Sequence, residues 1–310
     1  MSNVSALRPT RTTGRPGPGP LPAALLRQVN LTVRRRIDGL LAGDHRSWAF
    51  GDGAELAQVR PYVLGDDVRL IDWNVTARTG EPHVRVHIAE RAVETWLLLD
   101  TSASMTFGTA DRRKWDVAEG ASLALGHFAV RRGNRLAVAT FGDRNPSTSP
   151  ARQGNRGLLA LLLALRREPD LEHAGPTSLG TALGRLGWLA RRRAVIVLVS
   201  DFLGPRDWRS RLLQLASRHD VVAIEIRDPR EQELPDVGDL WLVDPETGKQ
   251  LRVDTRSGKL RQRFGDEAAA ERESLARELR SLGVAHLTLS TSGDWLRRLV
   301  RFLQTEGRRR

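Results

Sequence analysis

The chain of 310 residues contains no cysteine. That excludes a disulfide scaffold and any thiolate metal site. Lysine is nearly missing too: of 49 basic residues only Lys114, Lys249 and Lys259 are lysines. No long apolar run is present. The longest, "LLALLLAL" from Leu158 to Leu165, falls well short of the ~20 residues that span a bilayer, and it reads as a buried helix face. The N-terminus, "MSNVSALRPTRTTGRPGPGP", lacks the apolar core of a signal peptide. A cytoplasmic protein without a transmembrane segment is expected.

Catalytic signatures are also missing. "PETGKQ" and "RSGKL" contain Gly-Lys, but no glycine stands five residues before either one, and neither lysine is followed by Ser or Thr, so no phosphate-cradling loop exists. There is no Gly-x-Ser-x-Gly and no His-Glu-x-x-His. An aspartyl-phosphate enzyme wants a second Asp two residues after the first, and after Asp100 that place is taken by Ser102. The net charge of +12 raises the question of nucleic acid. Arginine is spread along the whole length, as a coding bias would spread it, whereas a binding footprint is clustered and interleaved with aromatics. The densest runs are "VRRRIDG" and the C-terminal "RLVRFLQTEGRRR".

What is present divides into four parts. Residues 1–20, rich in Pro, Gly, Arg and Thr, read as a disordered arm. Residues 21–92 hold a helix, with helical spacing over 22–43, and then a β-rich region with many turn signals, where "VRVHI" alternates with period two. From 93 to 305 strands alternate with helices: "VETWLLL", "RLAVATF", "AVIVLVS", "DVVAIEIR" and "AHLTLS" are strands, with helical segments between them. "LWLVDPETGKQLRVDT" reads as a hairpin. Residues 306–310 form a basic tail. The alternation predicts an α/β fold, a mostly parallel open sheet with helices on both faces.

In such sheets ligand-binding loops gather at the carboxyl ends of the strands. "LLLD" delivers Asp100 there and "VLVSD" delivers Asp201. "DTSAS" adds Ser102 and Ser104, and "AGPTSLG" places Thr177 just before a helix. All five are oxygen donors, which suits a hard octahedral cation, Mg²⁺ or alternatively Mn²⁺ or Ca²⁺. Hydroxyls in place of further carboxylates leave such a cation incompletely neutralised, and so attractive to a visiting Glu or Asp. The bland alternative is a strand-to-helix turn in which Asp and Ser bind backbone N–H groups, with Thr177 and Asp201 as caps.

Asp-x-Ser-x-Ser, then Thr177, then Asp201 after a strand, resembles the metal-ion-dependent adhesion site of von Willebrand factor A-type domains. Together with "RPYVLGDDVRLIDWNVTAR", "VLVSDF" and "RDPREQELPDVG", the pattern resembles the DUF58 family, bacterial proteins with a von Willebrand A-like core. The likeness runs from about residue 43 to 304. It implies a non-enzymatic, metal-dependent protein-binding adaptor. The implied partner supplies an acidic residue and is a MoxR-type AAA+ ATPase, in a chaperone-like or assembly role. Two other readings stay open: a divalent-metal-dependent hydrolase or phosphotransfer enzyme, and arginine-mediated binding to nucleic acid or a membrane surface.

Two further stretches carry expectations. In "GDDVRLIDW", Asp66, Asp67, Arg69, Asp72 and the nearby Arg78 are expected to form an ion-pair and hydrogen-bond network pinning the β-rich region to the main domain, with Trp73 packed between. A second acidic site or a partner surface is the alternative. His83 and His87 have the spacing of a helical zinc pair, but in a strand they stand ~13 Å apart, too far to share an ion.

Overall fold

The computed structural model describes residues 58–86, 93–131, 134–143, 145–166, 178–244 and 248–306. The expected N-terminal arm and helix, Thr177, His87, the "VRRRIDG" run and residues 307–310 lie outside them.

Strand β1 (Gln58–Pro61) pairs antiparallel with β2 (His83–Val86). Between them runs the short helix α1 (Trp73–Thr79). The acidic residues here serve the region itself. Asp66 takes both ends of the Arg60 guanidinium at 2.7 Å. Asp67 accepts from Arg69 N–H at 2.9 Å, and Asp72 caps α1 by accepting from Asn74 and Val75 N–H. Trp73 is 71% exposed. The expectation that Trp73 packs inside the network is therefore corrected, while the hydrogen bonds and the ion pair described here are local ones. Short acidic side chains beside turn N–H groups satisfy those donors locally.

The main domain begins with β3 (Glu94–Asp100), α2 (Lys114–Arg131), β4 (Arg135–Phe141), β5 (Thr148–Gln153) and α3 (Gly154–Leu165). It continues through α4 (Leu179–Leu189), β6 (Ala194–Ser200), α5 (Arg209–Ala216) and β7 (Asp220–Arg227). The hairpin β8 (Asp239–Val243) and β9 (Gln250–Asp254) follows, then α6 (Gly258–Ser281), β10 (Ala285–Ser290) and α7 (Trp295–Glu306). Six strands form one sheet in the order β10-β7-β6-β3-β4-β5. All neighbours are parallel except β4 and β5. This is the von Willebrand A-like arrangement that the motif implied. Strand β5 was not anticipated. Its sequence "TSPARQ" is polar and contains Pro150, which cannot donate to a ladder and is tolerated because β5 is an edge strand.

Alternate residues of each strand feed opposite faces. On one face Leu97, Leu99, Val138, Val197 and Ile224 pack with α2, α3 and α7. On the other, Trp96, Leu98, Ile196, Leu198 and Ala223 pack with α4, α5 and α6. All seven residues of β6 are buried, as a β-branched strand covered on both faces requires. "LLALLLAL" lies in α3, where Leu161 and Leu165 are buried and Leu159 and Leu163 face outward. Among the described residues no helix is long and apolar enough to cross a membrane. Gly120 sits mid-helix in α2, at a cost of about 1 kcal/mol relative to Ala. A Cβ there would stand 2.5 Å from the Trp295 ring, so the glycine is what lets α7 pack closely.

The chain leaves β3 toward β4 on one side and reaches β6 on the other. The crevice between the carboxyl ends of β3 and β6 is thus the switch point of the sheet, where open α/β sheets bind ligands. Asp100 ends β3, and Ser200 and Asp201 end β6.

Candidate functional site

Just beyond β3 the chain is tied to the end of β4: Thr101 donates both its N–H and its hydroxyl to the Phe141 carbonyl at 2.8 Å. This anchor fixes the turn that carries Asp100, Ser102 and Ser104, all three buried. Asp100 Oδ1 accepts from Ser102 N–H at 2.9 Å, and Oδ2 accepts from the Ser200 hydroxyl at 2.5 Å. The Ser102 and Ser104 hydroxyls meet at 3.0 Å. Ser102 precedes a 3-10 turn over Ala103–Thr106, yet its side chain makes no capping bond. The bland reading of "DTSAS" thus accounts for the Asp100 carboxylate, which closes a turn on Ser102; the Ser102 hydroxyl makes no cap and meets that of Ser104.

Gly142 closes the pocket from the β4 side at φ +96°. A Cβ there would stand 2.7 Å from Ser102 N and 2.9 Å from Asp100 Oδ1. Glycine is required on both counts, the left-handed backbone and the space.

The electrostatics are those of two crowded carboxylates. Burial, and then repulsion from Asp201, push Asp100 up to about 7 against the pull of the Ser102 and Ser200 hydrogen bonds. Asp201 accepts from Leu203 N–H at 3.1 Å through Oδ1, and from the Lys114 ammonium at 2.6 Å through Oδ2. Lys114 has no exposed surface and also reaches Glu231 at 2.5 Å. Burial would lower its pKa, but Asp201 and Glu231 outweigh that and raise it, so the ammonium stays charged. Glu231 is pushed up by burial against the pull of Lys114. Its other oxygen accepts from Asp228 N–H at 3.0 Å. Asp228 gathers four donors: Thr109 N–H and hydroxyl, the Thr291 hydroxyl and Arg230 N–H.

Of the five expected donors, Asp100, Ser102 and Ser104 come together and Asp201 stands close enough to repel Asp100. Thr177 lies outside the described residues. Its neighbour Ser178 caps α4, accepting from Thr181 N–H at 2.9 Å and donating to Asp207 at 2.6 Å, so the capping role entertained for Thr177 belongs to Ser178. Lys114, Glu231, Asp228 and Gly142 were not anticipated as site residues. One signal pointed to Lys114: it is one of three lysines among 49 basic residues.

Among the described residues no three His, Cys, Asp or Glu side chains converge on one point, so any cation held here would lean on hydroxyls. The hydroxyl pair suits that. Neighbouring ligands at ~2.1 Å from an octahedral ion stand ~3.0 Å apart, as Ser102 and Ser104 do.

Fold and pocket together define a von Willebrand A-like α/β domain with an oxygen-lined cleft at its switch point. The chain belongs to the DUF58 family, described as "Protein of unknown function DUF58", with residues 58–274 matched. An uncharacterized protein of Mycobacterium tuberculosis, Rv1480, is 42% identical over 288 residues, 92% of this chain and 90% of that protein. Another from Mycobacterium avium, MAV169, is 43% identical over 51% of this chain and 94% of its own length. Among solved structures, BatB from Bacteroides thetaiotaomicron overlaps 69% of this chain and 98% of its own, at 13% identity and a TM-score of 0.46. The SpRpn10 VWA domain overlaps 68% and 94%, at 16% and 0.37. The fold assignment rests on the strand order and not on these overlaps.

Proposed function

We propose that this protein is a non-enzymatic binding module that grips an acidic residue of a partner protein through a divalent cation, Mg²⁺ or alternatively Mn²⁺ or Ca²⁺. The observation that carries the reading is the buried Ser102–Ser104 hydroxyl pair, 3.0 Å apart beside Asp100. Ser102, Ser104 and Asp100 would hold the ion from the β3 side, Asp201 from the β6 side, and Thr177 from the loop before α4. Such an ion would supply Lewis acidity, left short of negative charge because three of its five donors are neutral hydroxyls. The protein's part is to hold these oxygens in place through the Thr101 anchor and the close fit at Gly142.

Among the described residues of the pocket, the Asp100 carboxylate is taken up by Ser102 N–H and the Ser200 hydroxyl. Lys114 is kept protonated by two carboxylates, so catalysis is the weaker reading. The partner proposed, on the family likeness, is a MoxR-type AAA+ ATPase, with this chain as its adaptor in a chaperone-like or assembly role. The test is a pull-down from the native cell with the full chain and with Ser102→Ala, each with and without EDTA. The expected result is an AAA+ ATPase retained only by the unaltered chain and only without chelator. Retention indifferent to both perturbations overturns the metal-dependent grip. Retention of no such ATPase overturns the partner.

A further inference from the structure

Lys114 has no part in the binding mode just described, yet it is built into the same pocket. Lys249 and Lys259 are exposed, whereas Lys114 is wholly buried between Asp201 and Glu231 at 2.6 and 2.5 Å, with the Phe107 ring centre 5.8 Å from its ammonium. A compact ammonium fits this gap as a point charge, where a planar guanidinium would demand a wider fork of acceptors. Its position is locked. Glu231 is held by Asp228 N–H, and Asp228 is held by donors from the loop after β3 and from the end of β10. Both oxygens of Asp201 are engaged inside the protein, one by Leu203 N–H and one by Lys114.

We infer that Lys114 is a resident cation of the site: it competes with a divalent ion for Asp201, keeps the affinity for that ion low, and leaves a bound ion attractive to a carboxylate. This rests on the metal reading above. The charges support it. When ionised, Asp100, Asp201 and Glu231 bring three negative charges and Lys114 one positive, a formal −2 that one divalent ion cancels. Without Lys114 the loaded pocket would stay negative and repel an acidic visitor. An ammonium in contact with Asp201 also repels any cation approaching the same carboxylate, and does so strongly in a site screened from water. Glu231 lets the exchange occur without stranding a charge. When Asp201 turns to an ion, Lys114 keeps one carboxylate partner.

The experiment is calorimetric titration of Mn²⁺ alone into the full chain, Lys114→Met, and the double variant Lys114→Met with Glu231→Gln. The single variant leaves two buried carboxylates without their cation and risks unfolding. The double variant removes one charge of each sign and keeps the comparison sound. The expected result is Mn²⁺ binding at least about tenfold tighter in the double variant than in the unaltered chain. A variant that binds where the unaltered chain shows no heat supports the inference equally. Equal or weaker affinity in the double variant overturns the role of Lys114 while leaving the metal reading in place. No uptake by either protein overturns both.

Discussion

Replacing Asp100 by asparagine should stabilise this protein at neutral and alkaline pH, provided divalent ions are removed. The Asp100 carboxyl is raised to about 7, first by burial and then by Asp201, from an ordinary value of ~3.9. A raised folded value means that the folded state keeps a proton the unfolded chain gives up. The unfolded chain therefore binds fewer protons between about pH 4 and pH 7, and stability falls as pH rises through that window. Roughly three pH units at 1.36 kcal/mol each make the loss about 4 kcal/mol. Asparagine reproduces the protonated acid: its Oδ1 can accept from Ser102 N–H, and its amide can donate to Ser200 Oγ, where a protonated Oδ2 would donate. In EDTA, thermal or urea unfolding should give matching stabilities for the two proteins near pH 4. The Asp100→Asn variant should lead by up to about 4 kcal/mol at pH 8, or roughly 8–16 °C in Tm for a domain of this size. Adding Mn²⁺ at pH 8 should raise the unaltered protein selectively, because an ionised Asp100 is what a cation binds. Two curves that run parallel from pH 4 to 8 in EDTA would refute the claim that this carboxyl is held neutral by its surroundings.

Gly142→Ala forces a side chain into a left-handed backbone at φ +96° and against Ser102 N at 2.7 Å; denaturant melts should show a loss of about 2–4 kcal/mol, with Mn²⁺ uptake lost as well. Asp228→Asn keeps the volume but sets an amide N–H₂ against donors from Thr109 or Thr291, and should cost about 2–4 kcal/mol at pH 7. Burial works against ionisation of Asp228, but the hydrogen bonds from Thr109 and Thr291 outweigh it and hold its pKa below the usual carboxylate range. Its contribution is therefore present above the ordinary aspartate pKa and fades as pH falls through the lowered one, so the gap between the proteins should narrow in acid.

Much of the fold was legible because its strands are short and buried on both faces. "RLAVATF", "AVIVLVS", "DVVAIEIR" and "AHLTLS" coincide with β4, β6, β7 and β10, since apolar runs between turn residues have few other places to go. Strand β5 escaped because its partner lies on one side only, which lets a polar, proline-containing stretch pair without an apolar pattern. The candidate site was legible where its donors are neighbours in the chain. Ser102 and Ser104 follow Asp100 at alternate positions, and local spacing alone is enough to bring two hydroxyls together. In "GDDVRLIDW" the dense acidic pattern suggests an ion-pair and hydrogen-bond network around a packed Trp73; Asp67 and Asp72 each cap a turn two residues away, and Trp73 stays exposed.

The part that stayed hidden is the part held by long-range charge. Lys114 meets Asp201 across 87 residues and Glu231 across 117, and Thr109 meets Asp228 across 119. No periodicity or spacing encodes such pairs; only the assembled sheet brings them together. Composition still carried a trace of it. Of the three lysines in a chain that otherwise uses arginine, Lys249 and Lys259 are exposed and the one at the start of α2 is buried. Around Lys114 two carboxylates close on the ammonium, from the end of β6 and from the turn after β7, at 2.6 and 2.5 Å. An arginine at 114 would therefore be no conservative exchange. Its guanidinium would have to part Asp201 from Glu231, and with them the loop that Asp228 fastens to the end of β10.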